Sequence, residues 1–347
     1  MSSPLPLFDA HCDTILKIVD CGEDLFDEGA DMHITLPGLR RAGVRAQLFA
    51  CFVLSERHPG TERERALVLL DRLAALAATN PDDLRLVVTA RDLSLGAEGA
   101  IGMILGLEGA DPLEGSAAAL RDFFDRGVRL VIPAWKDNPF SGTAFGANSG
   151  LSRVGRELVA IAEELGVVVD VSHLSDRAFA DVLEVSTRPF VASHSNCRAL
   201  CPSLRNLTDA MIRDLADRGG VLGVNFFPGF LDPTFRRDME ERRDALRLED
   251  VQTREERFRA WISAAPRPRI DWIARHVLHA IDTGGEDCVG LGADLDGVTS
   301  LPTGIDSASD LATVPPLLTA AGLSTRQVEK VCWENMHRIF SEVLPAA

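Results

Sequence analysis

The chain has 347 residues, 46% of them hydrophobic and 25% charged, which supplies a large core and excludes a disordered chain. A formal net charge of −16 argues against nucleic acid and anionic membrane surfaces as partners, because both attract basic proteins, and leaves a small-molecule or peptide ligand. Seven cysteines without a C-x-x-C pair fit reduced thiols packed in a core, and the absence of tyrosine removes every mechanism that needs a phenol.

From the N-terminus, "MSSPLPLFDAHCD" has no basic segment followed by an apolar one, so no export signal is expected. Eight short apolar, β-branched runs then follow in order: "LPLFDAHC", "VRAQLFACFV", "IGMILGLEG", "VRLVIPAW", "GVVVDVSH", "PFVASHS", "GVLGVNFF" and "CVGLGADL". Between them lie segments with apolar residues at helical spacing, such as "TERERALVLLDRLAALAA", "SRVGRELVAIAEELG" and "TDAMIRDLADRGG". Ser152, Ser175 and Thr208 stand where helix N-caps belong. Repeated βα units without a G-x-G-x-x-G fingerprint predict a closed (β/α)8 TIM barrel rather than an open doubly wound sheet.

One segment breaks the rhythm. Residues 231–269, between the seventh and eighth runs, are dense in charge and read as a helical excursion, a lid over the barrel mouth. With no linker rich in glycine or serine, residues 1–347 are expected to form one barrel domain. No window approaches the roughly 18 apolar residues of a membrane span, and "SEVLPAA" at the C-terminus carries no hydrophobic tail for a lipid anchor. A cytoplasmic protein is the expectation.

In a barrel of this kind the loops at the C-terminal ends of the strands build the active site. The polar residues at those ends are His11 and Asp13 after the first run, Glu108 after the third, His173 after the fifth, His194 after the sixth, and Asp294 and Asp296 after the eighth. Imidazole and carboxylate together suit zinc, whereas calcium or magnesium favour oxygen alone. The set is too large for one tetrahedral ion and about right for two ions that share a bridging carboxylate and activate water as a hydroxide nucleophile. Taken singly, each histidine is equally a satisfied core residue, and Asp294 and Asp296 could shape a turn in "ADLDG"; their joint placement carries the metal reading. His276, His279 and His337 fall in helices and His33 and His58 in loops, so none is given a chemical role, and Cys12 is read as packing.

The blocks "DAHCDT", "HITLPGLRRAGVRAQLFACFV", "GLEGADPL", "GLSRVGRELVAIAEELGVVVDVSHLS", "PFVASHSNCRALCPSLRNLTDAMIRDLADRGGVLGVNFFPGFL", "CVGLGADLDGV" and "ENMHRIF" resemble the membrane (renal) dipeptidase family of zinc peptidases, within the amidohydrolase-like barrels. The resemblance runs nearly end to end. It implies two zinc ions, one held at the positions of His11 and Asp13, the other at those of His173 and His194, with Glu108 bridging. It further implies Asp294 as the proton acceptor and donor, and Arg205 in "SLRNLT" as the grip on the substrate carboxylate.

One departure stands out. Where better-known members of that family carry a histidine after the fourth strand, this sequence places Trp135 in "IPAWKDNPFSG", with Lys136 and Asn138 as nearby polar candidates for substrate binding. The resulting expectation is a zinc dipeptidase acting on free dipeptides, with Asp13 or a loop residue reading the amine and a homodimer as the family's common assembly. An amidohydrolase for N-acyl amino acids, β-lactams or cyclic amides is the alternative, since the same nucleophile attacks any of these carbonyls. A barrel that has lost catalysis and serves as a binding protein is the third, with Trp135 its only support.

Overall fold

Repeated apolar strands build a parallel sheet here because each is covered on the outside by the helix that follows it. The computed structural model describes residues 5–96 and 99–346. Its strands are β1 (Leu7–Asp9), β2 (Val44–Phe52), β3 (Leu84–Leu86), β4 (Ile101–Glu108), β5 (Val128–Ile132), β6 (Val168–Val169), β7 (Val191–Ser195), β8 (Val221–Val224) and β9 (Val289–Leu291). All pairings between them are parallel, in the order β6-β5-β4-β2-β1-β9-β8-β7. A parallel bridge between Asp170 and Val191 joins β6 to β7 and closes the ring.

Every expected run contains a strand of the ring, and β3 is the addition. It pairs with the first residues of β4, Ile101 to Met103, below the point where β5 joins at Leu105. Three residues are too few to show a period, which is why the sequence did not disclose it.

Two apolar layers fix the barrel. Alternate residues Ala46, Leu48 and Ala50 of β2 join Ile104, Leu130 and Ile132 in an inner cluster, closed below by Met336, Ile339 and Phe340 of the helix Asn335–Val343. Gly106 keeps this row thin, since a Cβ there would lie 3.1 Å from Leu48 Cδ2 and 3.3 Å from Leu130 Cδ2. The same row ends on Glu108, so the carboxylate emerges at the mouth. The larger outer cluster packs the strands against helices such as Glu62–Thr79 and Arg153–Leu165.

Ser152, Ser175 and Thr208 cap their helices, accepting from the amides of Gly155, Ala178 and Met211. The charged excursion forms the helices Pro233–Ala245 and Val251–Ala264, held by a small core of Phe235, Met239 and Ile262. Among the described residues no helix is long and apolar enough to cross a membrane.

Candidate metal centre

Polar side chains gather at the mouth because the strand ends leave regular pairing there. Beyond β1 the chain keeps one parallel bridge, Cys12 to Leu295, and this seats His11 and Asp13 beside Asp294. Beyond β6, Asp170 Oδ1 accepts from the amides of Ser172 and Ser193 and turns the chain out of the ladder. His173, in that turn, takes φ +70°, and Asp294 and Asp296 after β9 take +62° and +65°. Such left-handed conformations cost non-glycine residues about 1–3 kcal/mol each, a strain concentrated in functional sites. Gly297 is obligatory for a different reason: a Cβ there would stand 2.2 Å from Asp13 Oδ2 and 2.3 Å from Asp294 Oδ1.

Glu108 is the hub of the site. Its Oε2 lies 3.4 Å from His11 Nε2, while its Oε1 lies 3.0 Å from His173 Nε2 and 3.7 Å from His194 Nε2. His11 Nε2 is also 3.6 Å from Asp13 Oδ2 and 4.0 Å from Asp294 Oδ1. Ligand atoms of His11, Glu108 and His194 lie within 4.8 Å of one another, and so do those of His11, Asp13 and Asp294. All six side chains are buried or nearly so.

Burial and mutual charge set the protonation of this cluster. Burial, with Glu108 adding to it, pushes Asp13 up to about 7. Burial also raises Asp294 to about 6, again with Glu108 contributing and His11 opposing. For Glu108 burial is outweighed by His11 and His173, which hold it well below the usual carboxylate range. Burial, helped by Arg205, lowers His173 to about 3 and keeps His194 neutral as well. Burial opposes charge on His11 as well, but Glu108 and Asp13 outweigh it and raise its pKa, so His11 must shed a proton when a cation binds, whereas His173 and His194 are already in the neutral, ligating form.

The donor set fits a metal. Both ring nitrogens of His11 and Oδ1 of Asp13 are buried without a hydrogen-bond partner, which is costly unless a cation satisfies them. His194 is oriented from behind, its Nδ1 2.7 Å from Ser193 Oγ, as ligand imidazoles commonly are.

Above the floor opens a cleft of about 650 Å³, walled by Phe52, Trp135, Phe227, Phe230 and Ile262. Trp135 packs on Phe52 and faces His173, with ring centroids 4.8 and 5.8 Å apart. Two expected substrate contacts do not line this cleft. Asn138 spends its amide on its own loop: Nδ2 donates to Asp111 Oδ2 and the Pro133 carbonyl, and Oδ1 accepts from Phe140 and Ser141. A turn-forming asparagine after a strand serves its own backbone first. Arg205 lies behind His194, donating to the His194 carbonyl and Ser195 Oγ at 3.0 Å each, with Nε unpartnered.

Asn225, which sequence reasoning passed over, donates from Nδ2 to Asp294 Oδ2 at 2.9 Å. A lone amide interrupting the apolar run "GVLGVNFF" was the available signal. Arg259, on the excursion helix, also lines the cleft, and nothing local in the sequence could place it there.

The family model for the membrane dipeptidases (peptidase family M19) matches residues 1–347. The chain belongs to the membrane dipeptidase family. It is therefore a metal-dependent hydrolase of peptide bonds. An uncharacterized protein from the pqqA 5′ region of Klebsiella pneumoniae is 34% identical to this dipeptidase-family chain over 283 residues, 78% of this chain and 93% of that protein. An uncharacterized dipeptidase of Schizosaccharomyces pombe is 28% identical over 337 residues, 91% and 74% of the two chains. A metallo peptidase from Rhodobacter sphaeroides, solved with a phosphinate mimic of L-Ala-D-Ala, superposes with a TM-score of 0.84 at 26% identity, over 98% of this chain and 99% of that one.

Proposed function

We infer that this protein is a dipeptidase that works with two zinc ions on free dipeptides. The observation that carries this is the divided reach of Glu108, with Oε2 toward His11 and Oε1 toward His173 and His194. His11 and Asp13 would hold one ion, His173 and His194 the other, and Glu108 both. When bound, the ions supply acidified water and a Lewis acid for the scissile carbonyl.

The protein's own groups do the rest. Asn225 fixes Oδ2 of Asp294, leaving Oδ1 toward the floor, and a carboxyl raised to about 6 can both accept and return a proton near neutral pH. Asp294 takes a proton from the attacking water and delivers it to the departing amine nitrogen. Trp135 and Phe52 hold the substrate against an apolar wall and keep bulk water away. Arg205, set behind His194 rather than in the cleft, braces the end of β7 with its two terminal nitrogens, and its charge helps keep His173 and His194 neutral. The dipeptide bound by a Rhodobacter sphaeroides relative as its phosphinate mimic supports the same substrate class here.

The test is metal analysis with a ligand variant. Purified protein is expected to carry roughly two zinc ions per chain, and His173→Ala to lose metal together with hydrolysis of Ala-Ala. Full turnover by that variant overturns the assignment, and a panel of N-acetyl amino acids run alongside identifies an amidohydrolase instead.

A further inference from the structure

The outer cleft differs in charge from its floor. Lys17, on the short π-helix Lys17–Cys21, Arg57, in the loop after β2, and Arg259, on the helix Val251–Ala264, all line it. Among the described residues none of the three has a carboxylate within ion-pair distance, although acidic neighbours abound. Glu56, beside Arg57, pairs with Lys136. Asp20, the acidic side chain beside Lys17, pairs with Arg65 at 2.7 Å. Glu256, one turn before Arg259, accepts from Gln252 at 3.0 Å. Lys17 itself donates only to the Asp31 carbonyl. Asp296, the remaining acid on the wall, is occupied by Thr14 and the amides of His33 and Ile34.

Three cations thus line the cleft without a carboxylate partner, among the described residues, in a protein whose net charge is −16. Such a protein repels anions at long range, so three cations gathered in one cleft act locally. The same cleft is lined by the apolar side chains Phe52, Trp135, Phe227 and Phe230 and by the metal-site residues Asp13, Glu108, His173, His194 and Asp294.

We propose that Lys17, Arg57 and Arg259 receive an acidic side chain, so that the preferred substrates are dipeptides containing aspartate or glutamate. The proposal rests on the dipeptidase function inferred above. The lining cations take the side-chain carboxylate, and guanidinium groups suit it because they meet carboxylates with paired donors.

The experiment compares kcat/KM of the zinc-loaded full-length protein on Ala-Asp and Asp-Ala with that on the isosteric Ala-Asn and Asn-Ala. A preference of about fivefold for one acidic member of these pairs is expected, shrinking as salt is added. The double variant Arg57→Gln, Arg259→Gln brings that ratio toward one. Arg72→Gln, an exposed arginine on the helix Glu62–Thr79 away from the cleft, leaves it at the wild-type value. Hydrolysis of acid and amide alike by the wild type, or an undiminished ratio in the double variant, overturns the rim proposal alone. Absence of hydrolysis of every dipeptide overturns the dipeptidase function and this inference with it.

Discussion

In the proposed function, proton transfer turns on Asp294. Asp294→Asn keeps the shape of the side chain and an oxygen for Asn225 Nδ2, so the fold should hold with a Tm close to wild type. Dipeptide turnover should fall by about 10²–10⁴-fold, the usual contribution of a positioned acid–base group, measured as kcat at saturating substrate. His276 offers a second test, of stability rather than catalysis. It is fully buried, its Nδ1 accepting from the Cys197 amide and its Nε2 2.9 Å from the Leu231 carbonyl. Burial lowers its pKa from 6.5 to about 4. Because the folded value is the lower one, the unfolded chain binds the proton first, and stability present above pH 6.5 is lost as pH falls toward 4. The loss is on the order of 3 kcal/mol across that window, and His276→Gln should flatten it in urea unfolding curves collected as a function of pH. Parallel curves for the two proteins would refute the assignment.

Single strands and turns place these residues, and at this scale Asp296 ties three segments together. Its carboxylate accepts from Thr14 Oγ1 at 2.7 Å, from the His33 amide at 2.6 Å and from the Ile34 amide at 3.3 Å, while its own amide donates to His33 Nδ1 at 2.9 Å. The loop after β9 is thereby bolted to the loop after β1, which fixes Asp294 relative to Asp13. Asp296→Ala strands several nearly buried donors and should lower unfolding free energy by about 2–4 kcal/mol in urea titrations. A loss under about 1 kcal/mol would show that the turn holds without it. His33 had been given no chemical role from the sequence, and its use here is structural, as the acceptor that completes this clamp. The strand ends were legible from the sequence because apolar runs finish on polar residues. The depth of the turns was not, since Asp170, which bends the chain toward His173, acts through the amide of Ser193, 23 residues further on.

For the whole molecule, the barrel concentrates three carboxylates, Asp13, Glu108 and Asp294, in a buried space, and their mutual repulsion opposes folding until a cation compensates it. Chelation should therefore lower the Tm by several degrees, with zinc restoring it, because a ligand that binds only the native state stabilises it by about 2.7 kcal/mol at 100 times its dissociation constant. An unchanged Tm after complete metal removal, verified by elemental analysis, would contradict this. The eight barrel strands, the helix caps at Ser152, Ser175 and Thr208, and the cluster of histidines and carboxylates were all readable in one dimension. Hydrophobic period and strand-end position are local properties, and a parallel barrel turns every strand end toward the same rim. The two oxygens of Glu108 facing different histidines, Asn138 turned into its own loop, Arg205 set behind His194, Asn225 holding Asp294 and Arg259 brought over the cleft were decided only by tertiary structure. Each depends on contacts between segments far apart in the chain, where distance and direction, not residue type, determine what a side chain can reach.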